Sequence, residues 1–156
     1  MVVDKEFYAK CRDGKIEEVR KSLESDGADP NSTGTNAGYV TCLMRAAGSN
    51  HLSSSNQDEM VALLLAHKDI EVNKRDDLNR TALHYACICG NDASLRRLLA
   101  VPGLDLNPQD WQNWSPIMCA VNNGMTEAVR LMCGKEEVDL ACKYPDGRSL
   151  HENTDW

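Results

Sequence analysis

Apolar residues recur along this chain in a pattern that repeats itself at a fixed spacing. The segment 80–87 reads RTALHYAC, and the same order of residue types returns 34 residues later at 114–121, WSPIMCAV. A looser copy, TCLMRAA, precedes both at 41–47. Each copy is followed by a second apolar group at helical spacing: Val61, Leu64 and Leu65; Leu95, Leu98 and Leu99; Val129, Leu131 and Met132. The pattern predicts pairs of short helices repeated as a solenoid.

The residues that flank these stripes are suited to the ends of helices. Thr81 and Ser115 are good N-cap types, and Pro116 follows at the first helical position, where its missing N–H costs nothing. Gly90 and Gly124 suit the left-handed residue that ends a helix. No single repeat could bury its own leucine stripe, so the repeats must stack against one another.

These copies resemble the ankyrin repeat, whose pattern is Thr-Pro-Leu-His-x-Ala-Ala, a Gly, a second apolar helix and an Asp-Val-Asn-like turn. The closing turns here are ADPN at 28–31, EVN at 71–73 and DLN at 105–107, while the fourth, DLA at 139–141, has lost its Asn. The resemblance implies an all-α ankyrin-repeat solenoid of stacked helix-turn-helix units with β-turn fingers. It also implies one domain over 1–156, divided into an N-terminal cap at 4–36, repeats at 37–76, 77–110 and 111–144, and a partial C-terminal cap at 145–156.

Two parts of the chain depart from the repeat. The segment 48–57 is an insertion of about six residues, GSNHLSSSNQ, which is a surface bulge or a contact or phosphorylation loop. Asn56 and Glu59 predict a capping box that starts a helix over 57–67. In the last unit, Leu150-His151 comes one residue too early to match Leu83-His84. This unit is either a short cap or the point at which a longer protein was cut.

Composition limits the function. The net charge is −7 and the pI is about 5.0, which argues against nucleic-acid binding. No apolar run approaches the length that spans a membrane, and charged residues occupy the N-terminus where a signal peptide would be apolar. The seven cysteines are odd in number and lack metal-ligand spacing, and Cys87, Cys119 and Cys133 are expected to be buried fillers. We expect an intracellular protein, cytoplasmic and/or nuclear, with free thiols and no metal.

The resemblance implies a partner-binding strip formed by the finger tips and the inner face of each first helix. Transferred position by position, the candidate residues are Asp77, Leu78, Arg80, Ile88, Cys89, Trp111, Gln112, Trp114, Asn122 and Asn123, followed by Pro145, Asp146 and Arg148 in the last finger. Asn79 and Asn113 hold the place that Gly38 and Gly147 hold in the other fingers, which predicts left-handed backbone there.

The aromatic and charged candidates have alternatives. Trp111 and Trp114 are expected contact anchors, although Trp114 could instead pack under its own finger against Pro116. Lys74, Arg75 and Arg80 form a basic spot that either steers an acidic partner or is paired locally with aspartates. The resemblance implies that Thr81 and His84 tie their repeat to the adjacent finger, with Met44 and Met118 replacing that histidine elsewhere.

The resemblance also implies possible hydroxylation of Asn31, Asn73 and Asn107 by an intracellular asparaginyl hydroxylase, the alternative being that each Asn caps its own turn. With no nucleophile–base pair, phosphate loop or cofactor motif visible, we expect a non-catalytic, monomeric module that binds a protein partner. The alternatives are a regulatory segment of a larger enzyme, channel or transcription regulator, or a small free-standing inhibitor of an enzyme such as a kinase.

Overall fold

The computed structural model describes residues 4–25, 27–34, 38–48 and 53–153. In these ranges eight α-helices follow one another and no strand is formed beyond two isolated bridges, Thr33 with Thr41 and Lys143 with Ser149. The helices are α1 Lys5–Arg12, α2 Ile16–Ser25, α3 Cys42–Ala47, α4 Ser54–Leu65, α5 Ala82–Cys89, α6 Asp92–Leu98, α7 Pro116–Asn122 and α8 Thr126–Cys133, and one turn of 3-10 helix spans Leu150–Asn153.

The helices stack in two rows. The first helix of each pair, α1, α3, α5 and α7, packs against the first helix of the next pair, and the second helices, α2, α4, α6 and α8, do the same behind them. The core lies between the rows and includes Phe7, Leu43, Leu64, Leu83 and Leu98, each at most 2% exposed. The all-α repeat solenoid expected from the sequence is confirmed. The proposed bounds of the individual repeats stay a prediction.

The predicted helix ends are mostly confirmed. The Phe7 amide donates to Asp4 Oδ1 at 2.9 Å, and Thr81 and Ser115 are N-caps, with Pro116 next. Gly90 takes the left-handed conformation at φ 63° and so ends α5. These ends fix the length of each first helix at six to eight residues, which keeps successive fingers in register.

The predicted start of the second helix in the second repeat is wrong. We expected a helix over 57–67 with Asn56 as its cap, but α4 begins at Ser54 and is capped by Ser53, whose Oγ accepts from the Asn56 amide at 3.3 Å. Gln57 is buried, and its Nε2 donates to the Ala46 carbonyl at 3.0 Å. Part of the insertion is therefore helix rather than loop, while residues 49–52 lie outside the described residues.

Candidate partner-binding surface

Each finger is a tight turn built around one carboxylate. The Asp76 amide donates to the Arg80 carbonyl at 3.0 Å, and Asp76 Oδ1 accepts from the amides of Leu78 and Arg80 at 3.0 and 2.7 Å. Asp110 repeats this arrangement in the next finger with the amides of Gln112 and Trp114. Because both carboxylates are buried inside their turns, they hold the backbone and are not free to meet a partner.

The left-handed residue of each finger is where the sequence predicted it in three of four cases. Asn79 has φ 59°, Asn113 φ 62° and Gly147 φ 88°. The equivalence with Gly38 is wrong. The residue two places before the helix N-cap is Tyr39, and Tyr39 itself has φ 59°. Its neighbour Gly38 also has positive φ, 61°, but corresponds in register to Leu78.

The fingers are joined to one another through their backbones. The Asp77 amide donates to the Gly38 carbonyl at 2.9 Å, and the Trp111 amide donates to the Leu78 carbonyl at 3.0 Å. Pro145 stands 34 residues after Trp111 and has no amide hydrogen to continue this series. The first three fingers therefore form one hydrogen-bonded row.

Exposed apolar side chains line the tips of this row. Tyr39 is 62% exposed, Leu78 38% and Trp111 60%, one on each of the three joined fingers. We call these three residues the fingertip stripe. The other large apolar residue with such exposure in the described ranges is Leu140, which lies in the last loop. The sequence singled out Leu78 and Trp111 but missed Tyr39, because a tyrosine is not a residue type expected in left-handed backbone.

Trp114 does not belong to the stripe. It is half-buried, and its ring meets that of Tyr144 in the next finger edge to face, with centroids 5.2 Å apart. The Arg148 guanidinium lies 5.7 Å from the centroid of the same Tyr144 ring. The alternative that Trp114 packs within its own finger is corrected, because its aromatic contact is to the following finger. This geometry favours a structural role for Trp114.

The basic spot is paired internally. Lys74 Nζ lies 3.3 Å from Glu71, Arg75 3.7 Å from Asp105, and Arg80 Nε 3.4 Å from the buried carboxylate of Asp110. Arg75 also donates to the Gln109 carbonyl. Two of the three acids lie in the following repeat rather than in the same turn. The three cations therefore help to hold neighbouring repeats together, which favours the local-pairing alternative over steering of an acidic partner.

The candidates on the inner helices differ in how far they are available. Ile88 and Cys89 are half-buried, and the Cys89 thiol donates to the Gly48 carbonyl of the preceding repeat. Asn122 and Asn123 are exposed, but Asn123 Nδ2 donates to the Cys119 carbonyl at 2.8 Å. Of these four, Asn122 is the exposed side chain without a hydrogen bond in the described ranges. Partner contact by any of them stays a prediction.

A family model described as ankyrin repeats in three copies matches residues 7–110, about two thirds of the chain. The chain belongs to the ankyrin repeat family. That membership confirms the resemblance drawn from the repeated sequence, and it places the fingers and inner helices described above in a protein-interaction module of generally non-catalytic type.

Several curated proteins share part of this ankyrin sequence. The human SMC5-SMC6 complex localization factor protein 1 is 35% identical over 86 residues, which is 54% of this chain and 8% of that protein. The probable 26S proteasome regulatory subunit p28 of Saccharomyces cerevisiae is 30% identical over 136 residues, 86% of this chain and 56% of that protein. An ankyrin repeat-containing protein of Schizosaccharomyces pombe is 32% identical over 66 residues, 42% and 28% of the two chains. The match thus spans less than two thirds of each of these relatives.

His84 links its ankyrin repeat to the next finger, as predicted. Its Nδ1 accepts from the Thr81 amide at 3.2 Å, so Nε2 carries the hydrogen, and Nε2 donates to the Trp114 carbonyl at 3.0 Å. Met44 and Met118 stand at the same position, where each sulfur accepts from the amide of its own N-cap residue. A thioether has no hydrogen to donate, so these methionines cannot make the link to the next finger.

This geometry predicts a pH-dependent stability that replacement of His84 removes. Burial lowers the pKa of His84 below its model value of 6.5, so the unfolded chain binds a proton more readily than the folded one. Acidification therefore favours unfolding, and the stability contributed by neutral His84 is lost as the pH falls through about 6.5 toward the folded-state pKa. We expect urea unfolding of His84→Met to depend less on pH between about 7.5 and 5.5 than that of wild type. Equal slopes in the two proteins would contradict this assignment.

The asparagines of the closing turns form a second ladder between ankyrin repeats. Asn31 donates to the Asp69 carbonyl and accepts from the Glu71 amide, both at 2.8 Å. Asn73 does the same with Gly103 and Asp105, and Asn107 with Glu137 and Asp139. The alternative that each Asn caps its own turn is wrong, since Asp29 and Asp105 cap their own turns and each Asn binds the next one. Hydroxylation of Asn31, Asn73 and Asn107 stays a prediction.

The cysteines of this ankyrin domain offer no reactive centre. All seven are free. Cys87 and Cys119 are buried as expected, whereas Cys133 is exposed, which corrects the prediction that it fills the core. Burial raises the pKa of Cys119 to about 12 and raises that of Cys89, so these thiols stay protonated at neutral pH.

Two further searches cover the same ranges. Within the described residues, no His, Cys, Asp and Glu side chains are grouped closely enough to hold a metal ion. No helix in those ranges is both long and apolar enough to cross a membrane.

Proposed function

We propose that this chain binds a partner protein through the inner surface of its ankyrin stack, defined as the finger tips together with the exposed residues of α1, α3, α5 and α7. The observation that carries the proposal is the fingertip stripe. Leaving a tryptophan, a tyrosine and a leucine in water on three adjacent joined fingers is unfavourable unless another molecule covers them. Aromatic side chains are also enriched among the residues that dominate binding energies.

The rigidity of the stripe supports the same function. Its three residues are carried by turns that backbone hydrogen bonds join to one another. A surface that is already ordered loses little conformational entropy when it binds. Asp77, Gln112 and Asn122 are exposed beside or behind the stripe and would form its polar rim, while Arg80 and Trp114 support the fingers from within.

The relatives support recruitment to a large assembly as the context. Two of them are named for such assemblies, the SMC5-SMC6 complex and the 26S proteasome. We therefore propose that the partner of this chain is a subunit of a multiprotein complex, and that the chain works inside the cell without catalysis of its own. Whether it acts alone or as the ankyrin segment of a larger regulator does not alter the surface that it presents.

Site-specific crosslinking tests the proposed surface. A photoreactive amino acid at Leu78, in the middle of the stripe, is expected to capture a protein from cell lysate on irradiation. The matched control is the same amino acid at Ala93, which is exposed on α6 in the second row of helices. Capture of the same proteins from both positions, or capture from Ala93 alone, would contradict binding through the fingers.

A further inference from the structure

Tyr8 and Arg45 occupy the same position in neighbouring repeats. Each is the fourth residue after its helix N-cap, Asp4 for α1 and Thr41 for α3, and these two helices pack against each other. A Cβ atom added to Gly34, at the base of the next finger, would lie 2.7 Å from Tyr8 Cε1. The Tyr8 ring thus lies on the finger side of the stack, at the N-terminal end of the inner surface.

Neither side chain has a partner in the described ranges. Tyr8 is 8% exposed, and no hydrogen bond is formed by its hydroxyl among the described residues. Of the nine arginines of the chain, the other eight each form an ion pair with a carboxylate, whereas Arg45 forms none within that part of the chain. A phenol that is more than nine-tenths buried loses free energy when its hydroxyl stays unpaired.

The two groups lie close enough to act on one anion. Burial raises the pKa of the Tyr8 phenol, and the next largest influence is the charge of Arg45, which acts in the opposite direction. The guanidinium therefore faces the phenol closely enough to stabilise negative charge beside it. In a chain with a net charge of −7, two adjacent donors without an acceptor form a local site for an anionic group.

The third repeat shows which anion fits this position. Tyr85 is the fourth residue after its own N-cap, Thr81, and so corresponds to Tyr8 and Arg45. Its hydroxyl donates to Asp76 Oδ2 at 2.7 Å. The same position of the stack is thus completed by a carboxylate where the chain supplies one, and Arg80 meets the carboxylate of Asp110 in a similar way.

We propose that the Tyr8 hydroxyl and the Arg45 guanidinium together bind an aspartate or glutamate side chain of the partner protein. This rests on the proposed function, and it adds to it the chemistry of the segment that binds. That segment carries a carboxylate at its end near α1 and α3, and apolar side chains where it crosses the fingertip stripe.

Peptide selection followed by a double-mutant cycle tests this assignment. The probe is a random peptide library displayed on phage and selected on the full chain, and we expect the selected peptides to combine Asp or Glu with aromatic or aliphatic residues. For a synthetic peptide of that kind, Arg45→Gln is expected to weaken binding about tenfold or more, as is Glu→Gln in the peptide. The two losses should not add when both changes are made, since either one already breaks the same contact.

Tyr85→Phe is the matched control for Tyr8→Phe. Both remove one hydroxyl, but that of Tyr85 is already bound to Asp76, so Tyr8→Phe alone should weaken peptide binding. If Arg45→Gln binds as tightly as wild type while Trp111→Ala does not, the carboxylate site is wrong and the fingertip surface stands. Loss of binding only for phosphorylated peptides would overturn the carboxylate in favour of phosphate. A library without any peptide that competes at this surface would overturn the site as well.

Discussion

Replacing Trp111 by alanine is expected to weaken partner binding by about thirtyfold or more while the protein stays folded. The indole is 60% exposed at the centre of the third finger, so its removal leaves no cavity in the core. The finger itself is held by the Trp111 amide and the Asp110 carboxylate, which alanine does not change. The dissociation constant of the protein captured through Leu78, measured by calorimetry, checks the expectation.

Two neighbours of Trp111 serve as controls. Gln112→Ala alters an exposed side chain in the same finger and should change the dissociation constant little. Trp114→Ala removes the edge-to-face contact with Tyr144, so it should lower the melting temperature, unlike Trp111→Ala. If Trp111→Ala lowers the melting temperature as much as Trp114→Ala, or leaves the dissociation constant unchanged, Trp111 is a structural residue and not an anchor.

A leucine-to-alanine change at Leu83 is expected to lower the free energy of unfolding by about 2–5 kcal/mol. Leu83 is fully buried in α5, which packs between α3 and α7, so the lost methyl groups leave a cavity shared by three repeats. Urea unfolding followed by circular dichroism measures this loss. Because each repeat contacts only its neighbours, the weakened centre would also separate the two ends of the stack from each other.

The same substitution at Leu78 gives the opposite pattern. Leu78 is 38% exposed at a finger tip, so Leu78→Ala should change the free energy of unfolding by no more than about 0.5 kcal/mol. It should nevertheless weaken partner binding, since it removes the middle of the fingertip stripe. A large loss of stability at Leu78, or a small one at Leu83, would show that the assignment of core and surface is reversed.

The fold was predictable because its signals are local and repeated. Thr81, Ser115 and Pro116 mark helix starts through interactions within one turn, and the 34-residue period brings these starts into register. The left-handed backbone at Asn79 and Asn113 followed from residue type alone. The start of α4 was missed because Ser53 and Asn56 are both good caps, and only packing of Gln57 against α3 decides between them.

The surface was less predictable because it depends on contacts between repeats. The sequence offered both tryptophans as anchors, and the ring of Tyr144, 30 residues further on, separates the supporting Trp114 from the exposed Trp111. The basic spot likewise needed the positions of Asp105 and Asp110 before its charges could be seen as paired. No pattern in the sequence shows that Arg45 lacks a carboxylate, since that depends on which acidic side chains the folded stack brings within reach.

Tyr39 is a position at which folding and recognition oppose each other. Asparagine or glycine there, as in the later fingers, would relieve the roughly 1–2 kcal/mol that an ordinary side chain loses in left-handed backbone. Either replacement would also shorten the apolar stripe by its first ring. A stabilised variant chosen only for its melting temperature would therefore tend to discard the tyrosine, and with it one third of the surface through which we propose that the protein binds its partner.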